Sequence, residues 1–129
     1  IEMIEEEKMI YEKICILGDF NIAPSDIDVH DPEKWQDKIL CSTDERLLFE
    51  RLLEKDFFDS YRSIHEASKS FSWWDYRQAS FRRNIGLRID HILLSNSLKT
   101  SLTEAGISKG PRKLEKPSDH APCWVKIKL

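Results

Sequence analysis

The spacing of apolar residues along the chain predicts helices at two places. Residues 1–11 carry apolar side chains at helical intervals among glutamates, which indicates the end of an amphipathic helix. A second helix is predicted from Ser42 to about Lys55, because Ser42 and Glu45 have capping-box spacing and a leucine-rich stretch follows them. Each helix is expected to turn one face to a core and the other to water.

Strand patterns occupy much of the remaining chain. The continuous apolar run at 14–17 predicts a buried strand, and the aromatic run at 71–74 predicts a short one. Residues 123–129 alternate between apolar and polar side chains, as in a strand with one buried face. Weaker patterns predict two more strands and a short helix, at 88–94, 103–108 and 97–101. The chain is therefore expected to be an α/β (α+β) fold.

The composition is that of a folded, water-soluble chain. Of the 129 residues, 33% are charged and 40% hydrophobic, and the formal net charge of −3 argues against disorder. No apolar run is long enough to span a bilayer, and residues 1–7 lack the basic start and apolar stretch of a signal peptide. A cytoplasmic protein with no membrane partner is the expectation.

Three widely spaced cysteines carry little functional signal. Cys15, Cys41 and Cys123 form no CxxC pair, which argues against a zinc knuckle or a disulfide framework. Cys15 and Cys123 lie in apolar, strand-like stretches, so both are expected to be buried, reduced thiols.

Basic residues gather in two places although the net charge is negative. The first group lies between two predicted strands and consists of Arg77, Arg82, Arg83 and Arg88. The second precedes the Ser118-Asp119-His120 motif and consists of Lys109, Arg112, Lys113 and Lys116. Such loops can contact phosphates, but charge clusters alone are more often ordinary solvated surface.

Three short polar motifs stand at the ends of predicted strands, where folds present catalytic groups. In the first, Gly18-Asp19-Phe20-Asn21, Asp19 and Asn21 are two residues apart and would project to the same side of a strand. The carboxylate can orient or deprotonate a water, and the amide can hydrogen-bond a phosphate oxygen. Alone, this motif is a weak signal because such turns are usually structural.

The other two motifs contain Asp90 and the Asp119-His120 pair. Asp90 begins an apolar strand, where Asp is unfavourable, so it would either satisfy loop amides or hydrogen-bond a histidine. Asp119 and His120 would face opposite ways in an extended segment, with His120 towards a phosphate and Asp119 towards a metal or its water. A lone Asp-His pair is usually only a surface loop. Together, however, the three motifs are rich in oxygen ligands, which suits Mg²⁺ or Mn²⁺ rather than zinc.

Four longer motifs occur in order from about Ile14 to the C-terminus: GDFNIAPSDIDV, FSWWDYR, GLRIDHILLS and KPSDHAPCW. In this order they resemble the exonuclease III family of the endonuclease/exonuclease/phosphatase superfamily. The resemblance implies a Mg²⁺-dependent DNA-repair phosphodiesterase with AP endonuclease and 3′-5′ exodeoxyribonuclease activity. It also implies a four-layer α/β sandwich, of which residues 1–129 would form a single partial domain, the C-terminal half.

The resemblance assigns roles to the motif residues. Asp19 would activate or orient the attacking water, and Asn21 would bind the phosphate. Asp90 would hydrogen-bond the catalytic His120. Asp119 would lie close to the metal, which Asp19 and Asn21 would also help to hold.

A DNA-binding surface follows from the same resemblance, with double-stranded DNA containing abasic sites or 3′ ends as the partner. Trp73 and Leu87 would line a pocket for an extrahelical abasic sugar, since an intact nucleotide would be too bulky. Contacts that position the phosphate backbone would come from Arg77, Arg82, Arg83 and Asn84. His91 has no catalytic counterpart in the resemblance and is expected to be structural.

The family's fold is about twice as long as this chain, so an N-terminal half with the principal metal ligands is expected to be missing. One sheet would then lack its partner and expose apolar surface, and the isolated chain would be weakly active or inactive. Two alternatives stay open. The chain could belong to another phosphodiesterase or phosphatase of the superfamily, or it could be a non-catalytic DNA-binding or assembly remnant.

Overall fold

In a computed structural model, residues 2–113 and 118–129 are described, and within them short helices alternate with small antiparallel sheets. Lys116 and Pro117, which belong to predicted motifs, lie outside the described residues. The helices are α1 (Glu2–Ile10), α2 (Pro32–Trp35), α3 (Thr43–Glu54) and α4 (Ser60–Ile64). The strands are β1 (Cys15–Asp19), β2 (Phe57–Asp59), β3 (Trp73–Trp74), β4 (Gly86–Leu87), β5 (Asp90–Ser95), β6 (Leu102–Ile107) and β7 (Cys123–Ile127).

A three-stranded sheet with the order β1-β5-β2 forms the centre of the fold. Helix α3 packs on it, and Phe49 and Leu52 of this helix meet Phe57 and Leu93 in one buried cluster. The helix begins as predicted, because the Ser42 hydroxyl accepts the backbone N–H of its third residue at 3.1 Å. The expected mixture of helices and strands is confirmed.

Two smaller strand pairs flank this sheet. β6 pairs with β7, and Leu102 and Ile127 of this pair pack against buried Leu94 of β5. β3 pairs with β4, and fully buried Trp74 anchors it in a cluster with Phe71. Of the predicted aromatic strand at 71–74, only the last two residues are paired. No helix among the described residues is long and apolar enough to cross a membrane.

The predicted burial of β1 was wrong. Ile16 packs against the core, but Leu17 is 68% exposed and Cys15 is also exposed. The reason is that β1 is an edge strand: it pairs with β5 on one side, and no strand within the described residues covers the other. Cys123 is only half-buried, so the expectation of two buried thiols also fails.

Candidate active site

Asp19 and Asp90 come together because β1 and β5 pair antiparallel. The register sets Asp19 opposite Asp90 and Gly18 opposite His91. Asp19 is the last residue of β1 and Asp90 the first of β5, so both carboxylates lie at the same end of the strand pair. Two ionised carboxylates at such a position favour a proton or a cation between or beside them.

His120 reaches the two carboxylates through the loop that precedes β7. A β-bridge joins Trp73 to His120, and the Ala121 N–H donates to the Ser72 carbonyl at 2.7 Å, so this loop runs along the edge of β3. The His120 Nδ1 atom then lies 2.8 Å from the Asp90 Oδ2 atom. The predicted contact between Asp90 and His120 is confirmed.

The other ring nitrogen of His120 faces two further carboxylates. Its Nε2 atom lies 3.6 Å from Asp19 Oδ2 and 3.9 Å from Asp119 Oδ1, beyond hydrogen-bond distance in both cases. The side chains of His120, Asp19 and Asp119 are 30%, 38% and 37% exposed. A substrate arriving from solvent can therefore reach Nε2 and both carboxylates.

The surrounding carboxylates favour a protonated His120. Partial burial works against the charged ring, but the hydrogen bond to Asp90 and the charges of Asp90, Asp19 and Asp119 outweigh it and raise the pKa of His120. Burial raises the pKa of Asp90 as well, although the hydrogen bond to His120 opposes this. His120 therefore keeps its proton to higher pH than an exposed histidine and can donate it from Nε2.

Asn21 does not continue β1. The strand ends at Asp19, whose Oδ1 atom accepts the Asn21 N–H at 2.9 Å, and Asn21 adopts a left-handed φ of 53°. This is an Asx turn, in which an Asp side chain bonds the backbone two residues on. The prediction that Asp19 and Asn21 share one face of a strand was wrong, because alternation requires extended backbone. Asn21 is nevertheless exposed, directly after Asp19.

The donor set suits a divalent cation. Asp19, Asp90 and His120 can bring one ligand atom each within 4.8 Å of one another, close enough to hold a metal ion. Asp90 and the His120 Nδ1 atom are already engaged with each other. Asp119 uses Oδ2 to accept the Trp73 Nε1–H at 3.0 Å, and its Oδ1 atom faces His120 Nε2 at 3.9 Å. Carboxylate oxygens are the ligands that hard cations prefer, so the residues present fit such an ion.

Comparison with known proteins shows the family to which the chain belongs. The model of the endonuclease/exonuclease/phosphatase family matches residues 5–120. The chain belongs to that family. It is 40% identical to exodeoxyribonuclease III of Haemophilus influenzae, with 98% of this chain and 50% of the relative covered.

Solved structures agree with this family membership. The 3′ phosphatase NExo from Neisseria, bound to a product DNA hairpin, is 44% identical with a TM-score of 0.97 over 99% of this chain and 50% of that one. An AP endonuclease from Archaeoglobus fulgidus is 31% identical with a TM-score of 0.89, over 99% of this chain and 52% of that one. The chain thus spans about half the length of the relatives it matches.

This endonuclease/exonuclease/phosphatase family member has a pocket of about 300 Å³ that Trp73 and Leu87 both line, and Trp73 also forms the bridge to His120. Trp73 is half-buried, whereas Leu87 is fully buried and can only form the floor. The opposite wall comes from α2, through Lys34 and Trp35. The sequence signals this helix only through Pro32 at the first helical position after Asp31, a common helix start, so Lys34 and Trp35 were not among the predicted site residues.

The predicted phosphate-contacting residues Arg77, Arg82, Arg83 and Asn84 all lie on the loop between β3 and β4. Arg77, Arg82 and Arg83 are exposed on the loop between β3 and β4, where Arg77 is paired with Asp75. Asn84 is also exposed, and its side-chain oxygen accepts the Nε1–H of buried Trp74 at 3.2 Å.

Arg88, which belonged to the same basic group, is 1% exposed and cannot contact DNA. Its Nε and Nη2 atoms each lie 2.6 Å from a carboxylate oxygen, the first of Asp28 and the second of Asp59. These two carboxylates raise the pKa of Arg88 although burial acts in the opposite direction. The clustering of basic residues along the sequence does not predict this network, because Asp28, Asp59 and Arg88 are far apart in sequence.

Proposed function

We propose that the chain is the C-terminal half of a Mg²⁺-dependent DNA-repair phosphodiesterase, and that residues 1–129 form one partial domain of a four-layer α/β sandwich. The observation that carries the proposal is His120, anchored to Asp90 through Nδ1 and open to solvent beside Asp19 and Asp119 through Nε2. A cationic donor held in this way is suited to stabilising charge on a phosphoryl oxygen. The exodeoxyribonuclease and AP endonuclease relatives support the same reading.

In the proposed reaction, water attacks the phosphorus in line with the P–O3′ bond. A P–O bond to the water oxygen forms as the P–O3′ bond breaks, and the 3′ oxygen leaves with the bonding electrons and takes a proton from solvent. Asp19 orients the water and accepts its proton. Asn21 donates its amide N–H to a phosphate oxygen, and protonated His120 donates from Nε2 to another. Asp90 keeps the ring oriented and charged throughout, because it accepts the Nδ1–H.

Mg²⁺, or Mn²⁺ in its place, is the proposed cofactor. Asp19, Asp119 and Asn21 would hold it, and when bound it would act as a Lewis acid towards the phosphoryl oxygens. Mg²⁺ prefers six oxygen ligands, more than these side chains offer, so water and an N-terminal half of the protein would complete its shell.

The proposed N-terminal half would cover the exposed edge of β1. A groove of about 420 Å³ runs between this edge and β7, and Leu17, Ile92 and Cys123 line it next to His120. An unpaired strand edge beside an apolar groove is a surface that a partner can complete by strand pairing and burial.

DNA with abasic sites or 3′ ends is the proposed substrate. Trp73 and Leu87 would accept a base-free sugar in their pocket, and the exposed loop would contact phosphates through Arg77, Arg82, Arg83 and Asn84. A second candidate is removal of a 3′ phosphate, because the Neisseria relative with a TM-score of 0.97 carries that description.

The test combines the chain with an N-terminal half taken from a full-length relative. Three labelled duplexes would be compared, one with an abasic site, one with a recessed 3′ end and one with a 3′ phosphate, each with Mg²⁺ and with EDTA. We expect turnover only when both halves and Mg²⁺ are present, and a loss of about 10²–10⁴-fold for His120→Ala. Association of the halves without turnover of any duplex would overturn the proposal.

A further inference from the structure

His91 follows Asp90 but lies on the buried side of β5. It is 2% exposed, and its ring packs edge-on against Phe20 and Phe49, with ring centroids 5.5 and 4.9 Å away. Its Nε2 atom lies 2.7 Å from the Ile22 carbonyl oxygen. One side chain therefore contacts the residues on both sides of Asn21.

The contacts of His91 select a single neutral tautomer. The Ile22 carbonyl can only accept a hydrogen bond, so Nε2 carries the proton. Arg88 Nη1, at 3.2 Å from Nδ1, can only donate, so Nδ1 carries a lone pair. Asp28 and Asp59 fix Arg88 in turn, which gives a continuous chain of contacts from the buried carboxylates to the Ile22 backbone.

The segment that His91 holds is irregular and contains two proposed site residues. Gly18 has a φ of 145° and Asn21 a φ of 53°, so this part of the chain leaves regular strand geometry. The position of Asn21 therefore depends on contacts made by its neighbours. His91 sits opposite Gly18 in the β1–β5 register, so the residue that follows Asp90 contacts the segment of the adjacent strand that leads into the Asn21 turn.

We infer that His91 is a positioning residue for the phosphodiesterase site. Arg88 holds the His91 ring in one tautomer, and the hydrogen bond from Nε2–H to the Ile22 carbonyl keeps the Asp19–Asn21 turn in the position that the reaction requires. The inference rests on the proposed function for its effect on catalysis. Its structural part can be tested on the chain alone.

Two replacements separate a hydrogen-bonding role from mere filling of the core. His91→Phe keeps a ring against Phe20 but removes both ring nitrogens. His91→Gln keeps an N–H donor for Ile22 and an oxygen that can accept from Arg88. His65→Phe is the matched control. His65, which follows α4, likewise uses Nε2 to bond a backbone carbonyl, that of Ala105 in β6 at 2.8 Å.

The first readout uses NMR on the 129-residue chain. Two-bond ¹H–¹⁵N spectra at neutral pH should show His91 as the Nε2–H tautomer, and the Nδ1–H tautomer would overturn the inference. The Asn21 amide, bonded to Asp19 Oδ1, should exchange with solvent about tenfold faster in His91→Phe, because local opening of the turn becomes easier. His91→Gln and His65→Phe should leave that exchange rate unchanged, and an unchanged rate in His91→Phe would also overturn the inference.

The second readout is turnover by the chain combined with an N-terminal half. His91→Phe should lower kcat by about 10²-fold with little change in KM, as a small displacement of a catalytic group does. His91→Gln should recover most of that loss, and His65→Phe should behave as wild type. Equal decreases of kcat in His91→Phe and His91→Gln would overturn the inference. If wild type itself is inactive, the proposed function fails, while the NMR readout still decides the role of His91.

Discussion

His91 and His120 flank Asp90 yet have opposite charge preferences, for reasons that lie in single contacts. Burial and the Arg88 cation lower the pKa of His91 to about 4. His120, in contrast, keeps a raised pKa because three carboxylates face it. One histidine is therefore held neutral as a hydrogen-bond donor in the core, whereas the surroundings of the other favour its charged form.

Replacing Asp90 should remove most of the support for the charged His120. The variant Asp90→Asn deletes the hydrogen-bonded carboxylate, so the pKa of His120 should fall towards or below its usual value. A proton NMR titration of the ring measures this directly. Asp119→Asn is the matched control and should lower the pKa by less, since Asp119 acts only through its charge at 3.9 Å. An equal fall in both variants would contradict the assignment.

The neutral state of His91 makes the stability of the fold depend on pH. The unfolded chain binds a proton at His91 below pH 6.5, the usual pKa of histidine. In the folded chain the pKa of His91 is about 4, so the ring stays neutral until the pH approaches that value. The contribution of His91 to the free energy of unfolding should therefore be fully present above pH 6.5 and should fall by about 2 kcal/mol between pH 7 and pH 5, whereas His120, whose pKa is raised, contributes in the opposite direction. Urea unfolding at both values checks this. The decrease in unfolding free energy between the two pH values should be smaller in His91→Phe. An identical decrease in that variant would mean that other groups cause it.

The buried pairs of Arg88 and the exposed pair of Arg77 should contribute very differently to the free energy of unfolding. Arg88→Met would remove the guanidinium from Asp59 and leave buried Asp28 with Arg62 as its remaining arginine partner, which should cost about 3–5 kcal/mol of unfolding free energy. Arg77→Met removes a pair in which the arginine side chain is 84% exposed, so solvent screens the pair and the loss of stability should be far smaller than in Arg88→Met. Denaturant unfolding of both variants gives the comparison. Similar costs would argue against the buried network.

At the scale of secondary-structure elements, the short β3–β4 pair connects the core to the candidate site. It carries Trp73, which bridges His120 and bonds Asp119, while Trp74 is buried behind it. The two strands approach closely at Gly86, where an added Cβ would come within 2.7 Å of the Trp73 carbonyl oxygen. Only a residue without a side chain fits there.

Gly86→Ala should therefore separate the two strands and disturb the site. The clash with backbone cannot be relieved by a rotamer change, so we expect a loss of about 1–3 kcal/mol in unfolding free energy. Gly110→Ala is the control, because an added Cβ there meets no atom of the described residues within 4 Å, and its effect should stay within about 0.5 kcal/mol. Thermal unfolding followed by tryptophan fluorescence would measure both. Equal stability of the two variants would contradict this packing.

At the scale of the whole molecule, the open edge of β1 is the main liability of the 129-residue chain. Leu17 is 68% exposed on this edge, beside the groove that leads to His120. Unpaired edges with apolar side chains promote pairing with another chain. In the proposed intact protein, this pairing would be made by the N-terminal half.

Leu17→Lys should make the isolated chain more monomeric, because a charged side chain opposes pairing at a strand edge. Sedimentation at increasing concentration would show this as a lower association constant than wild type. Met9→Lys is the control, since Met9 is 88% exposed on α1 rather than on a sheet edge, and it should have little effect. The same Leu17 change should weaken binding of an N-terminal half. If Met9→Lys is as effective, β1 is not the contact.

Local signals were sufficient for several features of this protein. Helix α3 and its Ser42 cap, the alternating strand β7 and the three polar motifs follow from residue spacing and hydrogen-bonding side chains within a few positions. The order of the longer motifs was enough to indicate the family, and the family match agrees. Such features depend on neighbours in sequence, so the sequence by itself determined them.

Tertiary structure alone decided which groups meet and which are buried. The β1–β5 register sets Asp19 opposite Asp90, the edge position of β1 exposes Leu17, and partners from distant segments bury Arg88. The turn at Asn21, which broke the expected alternation, depends on His91 from another strand as well as on Asp19. These outcomes arise from contacts between residues far apart in the chain, whose pairing no local pattern specifies.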